Sequence, residues 1–404
     1  MAATKSDIQT INVGFPIYTA AFADDRKLVV AGGGGEGKNG VANKISILEI
    51  SQDDGKLELK KDKILSKEED APMSLSITEK GFLAVGINSS SYEIKQGTNK
   101  HLRKFHLESD NRVEDEGSVQ LFQADGSDIY QKCTRFSSQG KYLAIASSTG
   151  ELRCLEYSSL KDQFAKTSAT ELDSTKPTEI QDLDFSPNER FLVYTTESSL
   201  VMLETATGEK IVEYAPPPAS RFRGIRFIGN DVLIAVANRA RRGGAELVKF
   251  ELPEDLSLVK QLVGQPKRIR RALHSGIKAV TAFDSKPNLA CTAGADLSMS
   301  IIRTDTLREV KIIYAAHGFA ITMVAISPSE TTAASGSVAQ TVSVVKLDGL
   351  ATENAQTKLA LKAVVVSIFV VLLMAILVQL VLQKELFGIS KSETQYDENR
   401  SGHL

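Results

Sequence analysis

The sequence predicts an all-β protein, a seven-bladed β-propeller of divergent WD-repeat type followed by one C-terminal transmembrane helix. Two observations support this fold class. A unit of short apolar strands and polar turns recurs about seven times within residues 1–350. A single uninterrupted apolar stretch then runs from Ala363 to Leu382, close to the C-terminus.

Each recurring unit contains strands in which apolar and polar residues alternate. One copy reads CTRFSSQGKYLAIASSTGELRCLEY from Cys133 to Tyr157, and another extends from Ile180 to Tyr214. Alternation with a period of two marks a strand with one buried face. The other copies begin at Ile17, Met73, Phe222, Val280 and Ile321.

The second strand of most units ends in small residues, which suit strands packed face to face around a narrow channel. A short sheet cannot bury both of its faces alone, so the units should close radially. The segment INVGFP, Ile11 to Pro16, would supply the edge strand that joins the first unit to the last. The chain has no Trp and so lacks the Trp-Asp dipeptide of ordinary WD repeats, and an array of β-sandwiches is the alternative. The small residues are Ala31, Gly86, Ala146, Ala237, Ala293 and Ala334.

The net charge, the cysteine content and the charged segments limit the classes of function that this protein could have. The formal net charge of −2 argues against a general nucleic-acid binder. The cysteines, Cys133, Cys154 and Cys291, are odd in number and lack metal-ligand spacing, which indicates a reducing compartment. Two charge-rich segments, Ser51 to Glu69 and Lys104 to Gly117, are expected to be solvated connections between strands.

The apolar stretch has the composition of a membrane anchor. Fifteen of the twenty residues from Ala363 to Leu382 are Val, Ile, Leu or Phe. At about 1.5 Å rise per residue, a helix of this length just crosses the hydrocarbon core of a bilayer. These residues favour insertion by roughly 5–9 kcal/mol, which Ser367 and Gln379 do not cancel. A buried core helix is the alternative.

The position of this stretch predicts the organisation of the chain. The N-terminal MAATKSDIQT has no apolar segment, so we expect the propeller to remain in the cytosol. We predict a propeller over 1–350, a tether over 351–362, the transmembrane helix over 363–382 and a short lumenal tail over 383–404. This arrangement is a single-pass type II topology.

A glycine-rich segment, GGGGEGKNGVAN from Gly32 to Asn43, is the most distinctive part of the chain. It contains the P-loop pattern GxxxxGK, but Asn39 stands where a P-loop needs Ser or Thr to hold Mg²⁺. The following KISILEI, Lys44 to Ile50, alternates like a strand, whereas a P-loop leads into a helix. We therefore do not expect this loop to bind a nucleotide.

Composition alone leaves two interpretations of this loop open. A passive hairpin would use the glycines only for positive φ, and Asn39-Gly40 would already form a tight turn. Five glycines among the six residues from Gly32 to Gly37 are nevertheless costly to order. Such a loop can instead direct several backbone carbonyls at one weakly hydrated cation, which would make the loop rigid.

The residues around the loop resemble those of one known family. Asn12-Val13-Gly14-Phe15-Pro16, then Ala21-Phe22, then VAGGGGEGKNG leading into Asn43-Lys44 are similar to the Sec-twelve family. This family includes the mammalian prolactin regulatory element-binding protein. Its members are endoplasmic-reticulum membrane proteins with a cytosolic seven-bladed propeller and one C-terminal anchor, so the likeness extends over most of the chain.

The resemblance implies a guanine-nucleotide exchange factor that promotes GDP release from the Sar small GTPase at the endoplasmic-reticulum membrane and so initiates assembly of the COPII vesicle coat. In this family the loop binds a potassium ion through main-chain oxygens and protrudes towards the GTPase. In this chain the ion would contact main-chain oxygens of Gly35, Gly37, Asn39 and Val41. The side chains of Asn39, Val41 and Asn43 would contact the GTPase, with Asn43 at an exposed loop tip.

Such a factor does no covalent chemistry of its own, because it acts by stabilising the nucleotide-free GTPase. Val41-Ala42 replaces the usual Ile-Pro pair of the family, which makes the tip less stiff. The alternative function is a non-catalytic membrane-anchored scaffold that recruits coat or trafficking proteins. An enzyme is disfavoured, because the five His residues are scattered and neither HExxH nor GxSxG occurs.

Overall fold

The computed structural model describes residues 8–37, 40–51, 55–123, 129–164, 167–168, 178–240, 243–252, 267–274 and 276–351, together with 371, 374–376 and 378–379. The chain divides into two compact units, Met1–Leu350 and Ala351–Leu404. In the described part of the first unit, the regular secondary structure is almost entirely β-strand, arranged in seven antiparallel sheets. These sheets are the blades of a propeller, which confirms the predicted fold class for this unit.

The strands follow one another blade by blade, except that the first strand, β1 (Ile8–Asn12), belongs to blade 7. Blade 1 contains β2 (Ile17–Phe22), β3 (Lys27–Gly32), β4 (Lys44–Ile50) and β5 (Leu57–Ile64). Blade 2 contains β6 (Ser74–Ile77), β7 (Phe82–Gly86), β8 (Leu102–Leu107) and β9 (Val113–Val119), with helix α1 (Ser91–Lys95) between β7 and β8. Blade 3 contains β10 (Gln131–Phe136), β11 (Tyr142–Ser147), β12 (Glu151–Glu156) and β13 (Lys161–Asp162), and β14 (Thr167–Ser168) also pairs with β12. Blade 4 contains β15 (Asp182–Phe185), β16 (Phe191–Thr195), β17 (Leu200–Glu204) and β18 (Lys210–Tyr214). Blade 5 contains β19 (Ser220–Phe227), β20 (Val232–Arg239), β21 (Ala245–Glu251) and β22 (Lys267–Ala272). Blade 6 contains β23 (Val280–Ser285), β24 (Leu289–Gly294), β25 (Met299–Arg303) and β26 (Arg308–Ile313). Blade 7 contains β27 (Ile321–Ile326), β28 (Thr332–Ser337), β29 (Thr341–Lys346) and β1.

The N-terminal strand closes the ring. β1 pairs antiparallel with β29, from Ile8 opposite Val345 to Asn12 opposite Thr341. An N-terminal closing strand is therefore confirmed, but its bounds differ from the predicted Ile11 to Pro16. The strand ends at Asn12 because the Asn12 side chain accepts a hydrogen bond from the backbone N–H of Gly14, at 2.8 Å, and turns the chain.

The outermost strands correct one expectation from the sequence. The charged segment Ser51 to Glu69 contains strand β5, and Lys104 to Gly117 contains most of β8 and β9, so neither is a simple connection. Most residues of β9 are exposed. An outermost strand has solvent on both faces, so its sequence VEDEGSV carries charges in place of the apolar alternation that marks inner strands.

The core lies between neighbouring blades, and the innermost strands surround a central channel. One hydrophobic cluster joins blade 7 to blade 1 and includes Phe15, which is fully buried. The channel has a volume of about 520 Å³ and is lined by the first strand of every blade. The small residues predicted at the ends of second strands are all buried, as this packing requires.

A buried charge cluster in the channel wall ties three blades together. The Arg226 guanidinium on β19 lies 2.5 Å from Asp182 of blade 4 and 3.0 Å from Asp284 of blade 6. Burial opposes the charged form of Arg226, but these carboxylates outweigh it and raise the pKa of the guanidinium. Each carboxylate also accepts a backbone N–H from the next blade, Asp182 from Ile225 and Asp284 from Ile326, so the cluster helps to fix the angle between blades.

The second unit includes the segment from Ala363 to Leu382 that the sequence predicts to be a membrane anchor. Of the stretch from Ala363 to Leu382, the described residues are 371, 374–376 and 378–379, and all are helical. Val371, Met374, Ile376 and Val378 are 56–67% exposed. Residues 352–362, the rest of 363–382 and the whole of 383–404 lie outside the described residues. Among the residues that can be described, we find no helix with the length and hydrophobicity that crossing a membrane requires.

Candidate protein-interaction site on blade 1

The glycine-rich loop joins β3 to β4 in blade 1. Gly32 pairs with Lys44 across these strands, so the two arms of the loop leave the sheet side by side. Gly33 has φ +148°, and a Cβ there would lie 2.3 Å from the side-chain Oδ1 of Asn43 and 2.5 Å from its Cα. The arms therefore approach so closely that only glycine fits at position 33.

Asn43 holds the base of this loop. Its Oδ1 accepts the backbone N–H of Gly35 at 2.9 Å. Its Nδ2 donates to the carbonyl of Glu69 at 2.9 Å and to that of Ser66 at 3.1 Å, and the carbonyls of Gly35 and Asp70 each lie 3.4 Å away. The residue is 1% exposed. The expectation of Asn43 at an exposed tip is therefore wrong, because its side-chain amide is buried and hydrogen-bonded to backbone groups of the protein itself.

The connection between blades 1 and 2, residues 65–70, packs against the base of the loop and is hydrogen-bonded to it. The backbone N–H of Leu65 donates to the carbonyl of Asn43 at 2.8 Å, and that of Gly37 donates to the carbonyl of Lys67 at 3.4 Å. The Glu69 carboxylate lies 2.5 Å from the Arg103 guanidinium on β8. These bonds connect the loop to blade 2 through residues 65–70.

The other predicted site residues fall in different surroundings. Val41 is half-buried and packs against the hydrophobic cluster that joins blades 7 and 1. Gly35 and Gly37 both have positive φ, +76° and +134°. Asn39 lies outside the described residues. The contacts from Ser66 and Glu69 were not predicted, since their charged segment has no local signal for a role in the loop.

The surroundings of the loop exclude a P-loop and indicate what could hold a cation. Strand β4 follows the loop directly, as predicted, so no helix N-terminus is available there to receive phosphates. Within the described ranges, no group of three or more His, Cys, Asp or Glu side chains could hold a metal ion. A potassium ion held by main-chain oxygens would not depend on such a group, and its binding stays a prediction.

One cluster elsewhere, in blade 6, combines the side-chain types of a catalytic triad around His274, but its serine is buried. His274 Nδ1 lies 2.8 Å from Glu309 and its Nε2 lies 3.3 Å from Asp296. Burial opposes protonation of His274, but these hydrogen-bonded carboxylates outweigh burial and raise its pKa. The neighbouring Ser298 is buried and donates to Asp296 at 2.7 Å. The Ser298 hydroxyl also lies 3.4 Å from His274 Nε2, but at 1% exposure it is not accessible to a substrate.

Fold and loop together define a class of protein. It is a closed β-propeller in which the glycine-rich loop of blade 1 is supported by the connection to blade 2.

Comparison with known proteins identifies the family. No family model matches the chain. It is 30% identical over 350 residues to the guanine nucleotide-exchange factor SEC12 of Candida glabrata, covering 85% of this chain and 73% of that protein. It is 26% identical to the SED4 proteins of Candida glabrata and Saccharomyces cerevisiae, over 83% and 84% of this chain, and spans only 32% and 31% of their lengths. The chain belongs to the Sec-twelve family of guanine nucleotide-exchange factors, which confirms the resemblance seen in the loop.

Proposed function

We propose that this protein promotes GDP release from a Sar-family small GTPase at the endoplasmic-reticulum membrane and thereby initiates COPII coat assembly. The observation that carries the proposal is a glycine-rich loop with a supported base, in a chain that belongs to an exchange-factor family. Its base is fixed by Asn43 and by the connection over residues 65–70. A partner that meets this loop would therefore bind a segment whose base is already held in place by the folded propeller.

The mechanism requires a difference in affinity between two states of the GTPase. An exchange factor accelerates nucleotide release only if it binds the nucleotide-free form more tightly than the nucleotide-bound form. A flexible loop would lose conformational entropy on binding, and this loss would weaken its binding to the nucleotide-free GTPase. We assign contact with the GTPase to Asn39 and Val41, and we assign to Asn43 the positioning of the loop, since its amide is buried.

A potassium ion would complete the loop. Main-chain oxygens of Gly35, Gly37, Asn39 and Val41 would hold it, since uncharged carbonyl oxygens suit this cation. One observation supports a cation here, since the negatively charged Asp70 side chain lies beside Gly35, with its Oδ1 3.1 Å from the position of a Cβ on that glycine. When bound, the ion would supply the positive charge that keeps mutually repelling carbonyls together.

The apolar stretch over 363–382 would anchor the propeller on the cytosolic side of the membrane. Such an anchor raises the local concentration of the exchange factor where a membrane coat must assemble. Protease added to intact microsomes should digest the propeller and an N-terminal tag. Protection of that tag would contradict the type II topology.

A nucleotide-release assay tests the exchange function. Full-length protein in detergent is mixed with a Sar GTPase loaded with fluorescent GDP, and release is followed after adding excess unlabelled nucleotide. The protein should accelerate release from Sar and leave a small GTPase of another family at its intrinsic rate. Binding to Sar without acceleration would favour the scaffold instead.

A further inference from the structure

Two blades differ from the others in the connection between their second and third strands. This connection spans 33–43 in blade 1 and 87–101 in blade 2. In the remaining blades it spans only 148–150, 196–199, 240–244, 295–298 and 338–340. The two long connections lie on neighbouring blades and on the same face of the propeller, because both join a second strand to a third.

The two long connections are bonded to each other. The Glu36 carboxylate of the glycine-rich loop accepts the backbone N–H of Ser91 at 2.8 Å and also the Ser91 hydroxyl. Ser91 begins helix α1, which is a stable support because Ser90 and Glu93 form a capping box and Ile94 is buried. The loop is thus held at its base by Asn43 and farther out by α1.

Exposed apolar side chains flank this junction. Tyr92, the residue after Ser91, is 72% exposed. Ile64, also largely exposed, directly precedes Leu65, whose backbone N–H donates to Asn43. An exposed aromatic ring on a short, well-capped helix loses little side-chain entropy when a partner covers it. The helix that contacts the loop through Ser91 therefore also carries an exposed aromatic side chain at the next position.

We infer that α1 of blade 2 is the second half of the GTPase-binding surface, with Tyr92 as its contact residue and the Glu36–Ser91 bond as the positioning contact between α1 and the loop. This inference rests on the proposed exchange function. The small GTPase would cover Tyr92 while the glycine-rich loop reaches its nucleotide site. The bond sets the distance between these two contacts.

Nucleotide release by full-length variants tests the contact. Tyr92→Ala should raise the GTPase concentration needed for half-maximal exchange by about fivefold or more, as loss of an aromatic anchor does, without lowering the unfolding temperature. The matched control is Tyr314→Ala, which removes a Tyr that is 62% exposed on the connection between blades 6 and 7. That variant should stay within about twofold of wild type.

A double-mutant cycle tests the positioning bond. Glu36→Ala removes both hydrogen bonds to Ser91 and should weaken exchange by roughly threefold, whereas Ser91→Ala removes only the bond from the hydroxyl and should weaken exchange less. The double variant should be no worse than Glu36→Ala alone, because both changes act on the same contact. A purely structural role for each residue would instead give losses that multiply. Multiplying losses would overturn the coupling between α1 and the loop.

The remaining outcomes separate this inference from the function on which it rests. Failure of wild-type protein to release GDP would overturn both. Normal wild-type exchange together with an unaffected Tyr92→Ala, or equal losses in Tyr92→Ala and Tyr314→Ala, would overturn the assignment of α1 alone.

Discussion

Replacing Asn43 by Ala should slow GDP release from the Sar GTPase at least about tenfold and should also lower the stability of the propeller. The substitution removes the acceptor for the Gly35 N–H and the donors to the carbonyls of Ser66 and Glu69. The three hydrogen bonds are 2.9–3.1 Å long, and Asn43 is only 1% exposed, so water does not readily replace them. Without Asn43, the two arms of the loop lose their shared support.

The expected magnitudes follow from these bonds. A buried polar group left without a partner costs about 1–3 kcal/mol, and entry of water as the loop relaxes reduces that cost. We expect a total loss of about 2–4 kcal/mol, and an unfolding temperature lower by roughly 3–8 °C. A tenfold slower release corresponds to about 1.4 kcal/mol, so even part of this loss would suffice to disorder the loop that meets the GTPase.

The assay compares two asparagines that make the same kind of bond in different blades. Asn238 on β20 accepts the Val280 N–H at 2.8 Å and donates to the Val280 carbonyl at 3.0 Å, far from the loop in the sequence of blades. Asn238→Ala should therefore lower the unfolding temperature but leave GDP release unchanged well below that temperature. Asn43→Asp should match Asn43→Ala, because it keeps the acceptor for Gly35 but directs a carboxylate oxygen at carbonyls.

Circular dichroism melting and fluorescent GDP release give the two readouts. If Asn43→Ala melts earlier but releases GDP at the wild-type rate, the geometry of the loop does not limit exchange. If neither quantity changes, the hydrogen bonds of Asn43 do not hold the loop, and the reasoning from its burial fails.

Four further predictions follow from particular contacts. Gly33→Ala should slow exchange several-fold because its Cβ would collide with Asn43, whereas Gly318→Ala, with nothing within 4 Å of its Cβ, should be neutral in the same release assay. Deleting residues 1–12 should remove β1, expose the edge of β29 and cause aggregation on size-exclusion chromatography, and a monomer of equal stability would contradict ring closure. Replacing potassium by lithium, which is smaller and more tightly hydrated, should weaken exchange by wild-type protein, and equal rates in both salts would argue against the ion. Burial lowers the pKa of His101 to about 4 despite a hydrogen bond to Gln131, so the stability it provides is complete above its unfolded pKa of about 6.5 and lost as pH falls towards 4. His101→Gln should flatten that part of the melting temperature's pH profile.

The sequence predicts the inner strands well because their burial leaves a local pattern. Strands such as β11 and β24 read as apolar runs ending in small residues, since both of their faces are covered in the propeller. The outermost strands leave no such pattern. β5 and β9 are formed by backbone pairing to an inner neighbour, and their charged side chains point into solvent. Pairing is a tertiary event, so period-two alternation could not reveal it.

Helix α1 was not predicted from the sequence either, although the residues that start it are close together in the chain. Ser90 and Glu93 have the spacing of a capping box, and Ile94 follows as the buried residue. The helix has only five residues, which is shorter than the window in which helical periodicity can be recognised. Its contact with Glu36 joins positions 55 apart in the chain, and no sequence pattern reports such a contact.

Asn43 illustrates why the composition of the loop left its role open. Glycines permit the positive φ angles that the loop needs, but they also enlarge the ensemble of conformations that must be given up on ordering. The compensating interactions come from Ser66 and Glu69, more than twenty residues along the chain, and they exist only after blade 1 has met the connection to blade 2. A glycine-rich loop outside this fold would therefore be a flexible hairpin. Inside it, hydrogen bonds from Asn43 to the carbonyls of Ser66 and Glu69 hold the base of the loop, and these contacts form only in the folded propeller.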